Sequence, residues 1–160
     1  MAENLRLARL YFVLLGIFAV ARLLQGLGHV PYEKAHHVFS IVTLTFMASI
    51  FYGAFCRRWR RFRVLRAAAL AATMGLASQI VIFVLTVASY ALGLHTFFNH
   101  AIALNAAQLG DPGASSVIVP FGEAMGRRLG GLIVNPLVSG VAGALGWTLG
   151  VLLPENEHPV

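Results

Sequence analysis

The sequence predicts an all-α fold: an integral membrane bundle of four transmembrane helices, with a structured extracytoplasmic segment between the third and the fourth. Three observations predict it. Hydrophobic residues make up 58% of the 160 positions and charged residues only 11%, where a soluble domain carries about 25% charged residues. The apolar residues gather into long uncharged runs rather than alternating with polar ones. And the segment CRRWRRFRVLR, at 56–66, places six of the chain's arginines between two of those runs. So few polar side chains cannot make a water-soluble surface, and lipid must cover much of the outside. A chain of this length is read as one membrane domain, 1–160.

The first predicted crossing is LARLYFVLLGIFAVARLLQGLGHV, 7–30. At 1.5 Å per residue it spans the roughly 30 Å hydrocarbon layer. MAENLRLARL followed by YFVLLGIF also has the outline of a secretory leader, with Ala19-Val20-Ala21 as its cleavage site. The apolar run continues past Arg22, so a retained helix is the expectation. Gly28 and Pro31 end it, and Tyr32 fits the interface. The second crossing is HHVFSIVTLTFMASIFYGAFC, 36–56. Its β-branched and aromatic content suits a strand, but its length without a turn signal favours a helix. The third, 67–94, runs without a charge and exceeds what the layer requires, so it should tilt or project.

Residues 95–128 break the pattern. Asn99, His100, Asn105 and Gln108 interrupt the apolar character, and GDPG at 110–113 signals a turn. A short amphipathic helix lying in the interface is expected over 97–109, and 115–121 can dip inward. A fifth crossing through 97–121 is the competing reading, although NHAIALNAAQLGDPG is too polar for a lipid-facing helix. The fourth crossing is 129–153, closed by Pro154. Ser139 and Gly143, and Ala142, Gly146 and Gly150, are spaced by four, including a GxxxG. Such small residues let helices approach closely, which predicts self-association or a partner membrane protein through this helix. Asn135-Pro136 has the form of the start of a membrane half-helix, with no second copy in the chain.

Charge sets the expected orientation. Short positively charged loops stay on the cytoplasmic side, so the arginine stretch lies inside, as do both termini. The expected setting is a bacterial inner membrane. Arg57, Arg58, Arg60, Arg61, Arg63 and Arg66 then form a cuff for anionic lipid headgroups. Arg57, Arg60, Arg63 and Arg66 also recur every third residue, as in a voltage sensor, but Arg58 and Arg61 fill the apolar face such a helix needs. Arg127 and Arg128 fall on the outer side and fit this scheme poorly. The net charge of +6 and pI near 10.5 do not indicate a nucleic-acid partner, because nothing around the basic run can read bases.

Arg22, Gln25 and His29 share one helical face and form a polar stripe, which with Gln79 and Asn135 can line a solute or ion pathway. The alternative for Arg22 is snorkelling to headgroups. His29, His36, His37, His95 and His100 all map to the outer side, and only His158 does not. Imidazoles there can ligate haem iron or a transition metal, with Glu33, Asn99 and Glu123 supporting them, although the spacing matches no ligand motif. Cys56 is the lone cysteine, so no disulfide forms within the chain. GxSxG, HExxH, the P-loop and paired carboxylates are absent, which argues against an enzyme. The functional expectation is a small polytopic membrane protein, oligomeric or part of a complex, that lines a solute or ion path. A haem- or metal-binding redox subunit is the alternative.

Overall fold

The computed structural model of the protein describes residues 6–109, 111, 117 and 119–153, and these are helical with no strand among them. Five α-helices follow in order: α1 (Arg9–Leu27), α2 (Tyr32–Ala35), α3 (Ile41–Arg58), α4 (Val64–Ala91) and α5 (Phe121–Leu149). A 3-10 turn at Ile102–Leu104 lies between α4 and α5, and a second at Gly150–Leu152 extends α5. Three helices are long and apolar enough to cross a membrane: α1, α4, and α5 with its extension. The second expected crossing, 36–56, begins later, at Ile41, because the Ser40 hydroxyl accepts the Thr43 N–H and caps the helix there. What remains is an 18-residue helix that ends in Arg57 and Arg58. The structure thus supports an all-helical chain with three candidate crossings, and not by itself a four-crossing bundle.

The last long helix begins at Phe121 rather than 129, directly after Pro120, whose φ of −58° already suits the turn into a helix. It runs unbroken through Pro136, so Asn135-Pro136 does not begin a half-helix. The expected helix over 97–109 is only the 3-10 turn at Ile102–Leu104, ended by Asn105 in the left-handed conformation (φ 55°). Side chains compete with helix formation here. Asn99 Oδ1 accepts the Thr96 N–H at 2.9 Å, Asn99 Nδ2 donates to the Leu94 carbonyl at 2.8 Å, and the Ile102 N–H donates to His100 Nδ1 at 3.3 Å. Most of the expected GDPG turn, and residues 115, 116 and 118 of the stretch expected to dip inward, lie outside the described residues. Val119 is buried against Ala101, Leu104 and Ala124, which packs the start of α5 on the 3-10 turn.

The helices are held together by small residues. A Cβ on Gly146 would strike the backbone of Ile50, one on Gly53 the backbone of Gly143, and one on Gly75 the Ser139 side chain. Gly150 is also close-packed, with its added Cβ 2.7 Å from the Ala54 carbonyl oxygen. The Ser139–Gly150 face of α5 is therefore seated on α3 and α4 of the same chain, where close approach lets the backbones pack. In contrast, Val13, Ile17, Val20 and Leu24 of α1, Ile80 and Val84 of α4, and Ile133, Leu137, Val141 and Leu145 of α5 are exposed. An apolar outer surface this extensive is what lipid, not water, covers.

Candidate functional site

At the end of the bundle where α1 and α4 finish and α5 starts, two arginines from distant parts of the chain meet one cavity. Arg22 is only 9% exposed and occupies the buried face of α1 with Ala19 and Gly26. Its Nη1 donates to the carbonyls of His36 (3.2 Å) and Val38 (3.4 Å), and its Nη2 donates to the Tyr32 hydroxyl (3.2 Å). The guanidinium also stands 5.6 Å from the Tyr32 ring and 5.3 Å from the Phe97 ring, a cation–π geometry. It turns inward, and does not snorkel. Phe39, with φ 53°, holds the 36–40 link in the turn that carries these carbonyls and the Ser40 cap.

Arg128, in the second turn of α5, donates from Nε to Thr86 Oγ1 at 3.1 Å and from Nη2 to the Phe98 carbonyl at 2.6 Å. Thr86 is fully buried and its hydroxyl donates in turn to the Ile82 carbonyl at 2.7 Å. Its neighbour Arg127 binds the Asn105 carbonyl at 2.7 Å and pairs with Glu123 at 2.8 Å. Both arginines that fitted the charge rule poorly thus have backbone carbonyl partners in the stretch between α4 and α5.

Arg22 and Arg128 line a cavity of about 240 Å³ with Tyr32, His36, His37 and Ser40, and no carboxylate is among its lining residues. Val42 lies on its rim and also borders a void of about 30 Å³, lined by Thr45, Ser78, Gln79, Asn135 and Ser139. That void has room for about one water with several polar partners. Val42 is thus shared between the lining of the Arg22 cavity and that of the void at Gln79 and Asn135, which lie midway along α4 and α5. Tyr11 continues the polar line: its hydroxyl bonds Thr45 Oγ1 at 2.9 Å and the Met74 carbonyl at 3.0 Å. The other members of the expected stripe diverge from it. Gln25 lines neither cavity, and its Oε1 is buried without a protein partner. His29 is exposed, with φ 54°, and faces a separate cavity of about 520 Å³ with His95 and His100.

The histidines form a stack rather than a ligand set. The His36 and His37 rings lie 3.8 Å apart, and Tyr32 stacks on His100 at 4.3 Å and 11°. Burial holds the His100 imidazole below its usual pKa, with nearby Arg22 adding to the depression and Glu33 opposing it. Among the described residues no three His, Cys, Asp or Glu side chains converge in a way that could hold a metal ion. Asn99 and Glu123, expected to support such a site, serve the loop and Arg127 instead.

At the opposite end the arginine stretch is a tight turn. Arg57 and Arg58 end α3, Arg60, Arg61 and Arg63 stand in the connection, and Arg66 opens α4. The three-residue period therefore does not lie on one helix, as a voltage sensor requires. Arg57 sits 4.1 Å over the Trp147 ring, and Trp147 Nε1 donates to the Phe62 carbonyl at 2.7 Å, which ties the turn to the end of α5. Arg60, Arg61, Arg63 and Arg66 remain exposed. Cys56 is buried under this turn. Comparison with protein-family models, with curated proteins and with solved structures gives no match for this chain.

Sequence reasoning listed Arg22, Gln79 and Asn135 but not Arg128. The signal for Arg128 was its disagreement with the charge rule: a cation on the wrong side needs a local partner.

Proposed function

We propose that the protein is a four-crossing integral membrane protein, not an enzyme, that admits a small hydrophilic solute from the end at which Arg22 and Arg128 lie. The observation that carries this reading is the shared Arg22–Arg128 cavity, with Val42 common to its lining and to that of the polar void at Gln79 and Asn135. Buried polar residues between apolar helices are costly, and they mark solute and ion routes. In this reading α3 is the fourth crossing. Its 18 residues span about 27 Å, it is wedged against α4 and α5, and its terminal arginines reach the headgroups. The exposed arginines of 60–66 face anionic lipid on the cytoplasmic side, with both termini there. A bacterial inner membrane suits this charge pattern. Assembly with a second copy or another membrane protein belongs to the same proposal. Because α3 and α4 occupy the small-residue face of α5, such a contact uses its outer aliphatic face, at Ile133, Leu137 and Val141. The haem or metal reading has no converging ligands in its favour.

Two measurements test the proposal. Proteoliposomes carrying the wild-type chain should pass a small ion that empty liposomes retain, and Arg22→Ala or Gln79→Leu should change that flux; equal flux in all three removes the pathway. Cysteine placed at position 60 should react with an impermeant thiol reagent only from the cytoplasmic side, and labelling from outside reverses the topology.

A further inference from the structure

We infer that the Arg22–Arg128 cavity binds a phosphate-type oxyanion, an inference that rests on reading this cavity as the solute site and names the chemistry of its ligand. The argument begins with charge. Two guanidiniums, from α1 and α5, line one cavity with no carboxylate among the lining residues. Arginine stays protonated under all ordinary conditions. Glu123 pairs with Arg127 at 2.8 Å, and Glu33 of α2, which acts on His100, is not among the residues that line the cavity. The carbonyls of His36, Val38 and Phe98 orient the two guanidiniums but bring no negative charge. Two like charges held in one part-buried space repel, and desolvation adds to the cost. An entering anion relieves both.

Geometry then selects the kind of anion. A guanidinium carries five N–H groups, and the bonds to protein occupy three at Arg22 and two at Arg128. The remaining donors are planar forks, which match paired oxygens on phosphorus better than a spherical halide. His37 and the Ser40 hydroxyl add further donors on the same wall, while His36 spends its Nδ1–H on the Glu33 carbonyl. At about 240 Å³ the space is smaller than the roughly 300–1,000 Å³ of sites that hold drug-sized ligands; it suits one compact polyatomic group. Two sources of that chemistry fit. The cavity lies near the ends of α1 and α5, and its rim residue Val42 is 56% exposed on the apolar outer surface. A lipid phosphate can enter sideways there, and a free phosphate can enter from the loop end.

The test uses the full chain purified in detergent, with binding followed by calorimetry and thermal melting. The probes are inorganic phosphate, chloride at matched ionic strength, a short-chain phosphatidic acid, and the diacylglycerol of the same chain length. Phosphate or phosphatidic acid should bind and raise the melting temperature where chloride and diacylglycerol do not. Arg128→Gln should weaken that binding at least tenfold, and Arg128→Lys, which keeps the charge but loses the fork, by less. If circular dichroism shows that Arg128→Gln does not fold, His37→Ala on the same wall is the second variant and should weaken binding several-fold. Binding of inorganic phosphate identifies a free oxyanion as the ligand; binding of phosphatidic acid alone identifies a headgroup. The inference is overturned if neither binds above its control, or if a folded Arg128→Gln chain binds as wild type does. Binding without flux in proteoliposomes would leave this inference standing and remove the pathway, whereas flux without phosphate binding would do the reverse.

Discussion

Replacing Gly146 with alanine tests the packing that places both arginines at one cavity. An added Cβ would stand 2.7 Å from the Ile50 carbonyl carbon and Cα, and closer still to its oxygen. These are backbone atoms of α3, which cannot rotate away as a side chain would. To clear the carbonyl oxygen, α3 and α5 must separate locally by roughly 1 Å or more, and a gap of even 0.5–1 Å forfeits about a quarter to a half of each dispersion contact it opens. Overpacking of this kind costs about 1–3 kcal/mol. A central value near 2 kcal/mol lowers the folding equilibrium constant by a factor of about thirty. Gly126, on the same helix, is the control, because nothing lies within 4 Å of its added Cβ. Gly126→Ala should be neutral or gain up to about 1 kcal/mol from helix propensity. The assay is reversible unfolding in mixed micelles by increasing sodium dodecyl sulfate, followed by far-ultraviolet circular dichroism. If Gly146→Ala is as stable as wild type, or Gly126→Ala is destabilised equally, the close α3–α5 contact is not what holds the bundle.

Three further outcomes are expected. Tyr11→Phe removes the hydroxyl that bridges Thr45 and the Met74 carbonyl, and the same unfolding assay should show a loss of about 1 kcal/mol. Asn99→Ala removes the side chain that ties Thr96 to Leu94; hydrogen exchange should rise across 94–100 while the amides of α1, α4 and α5 stay protected, and unchanged exchange at 94–100 would show that Asn99 does not order the segment. His100 titrates below its usual value in the folded chain because burial disfavours the imidazolium. The unfolded chain therefore takes up this proton first, near pH 6.5. Stability present above that pH should fall as pH drops from about 6.5 toward the lower folded value, then level off. Thermal melting between pH 8 and 5 should show this fall in wild type and less of it in His100→Gln; identical profiles would assign the pH dependence elsewhere.

Parts of the candidate site were legible in the residues alone. Arg22 inside an apolar run, and Gln79 and Asn135 in others, announce themselves because each breaks a pattern that lipid-facing helices keep. Gln25 and His29 share a face with Arg22 by helical spacing, yet neither enters the cavity, and His29 lies beyond the end of the helix at Leu27. The loop was the least legible part. Its conformation depends on bonds from Thr96, Asn99 and His100 side chains to nearby backbone, for which apolar periodicity carries no signal.

By itself the sequence determined that this chain is helical, that apolar runs form its long elements, and that the arginine stretch makes the turn between two of them. Those properties are local: they follow from composition, run length and capping residues such as Ser40. Only the tertiary structure decided that the small residues of α5 are used within the chain, and that Arg22 and Arg128 share one cavity. Those outcomes depend on which helix faces meet across more than a hundred residues of sequence, a choice made by close backbone packing and buried hydrogen bonding rather than by any segment's own pattern.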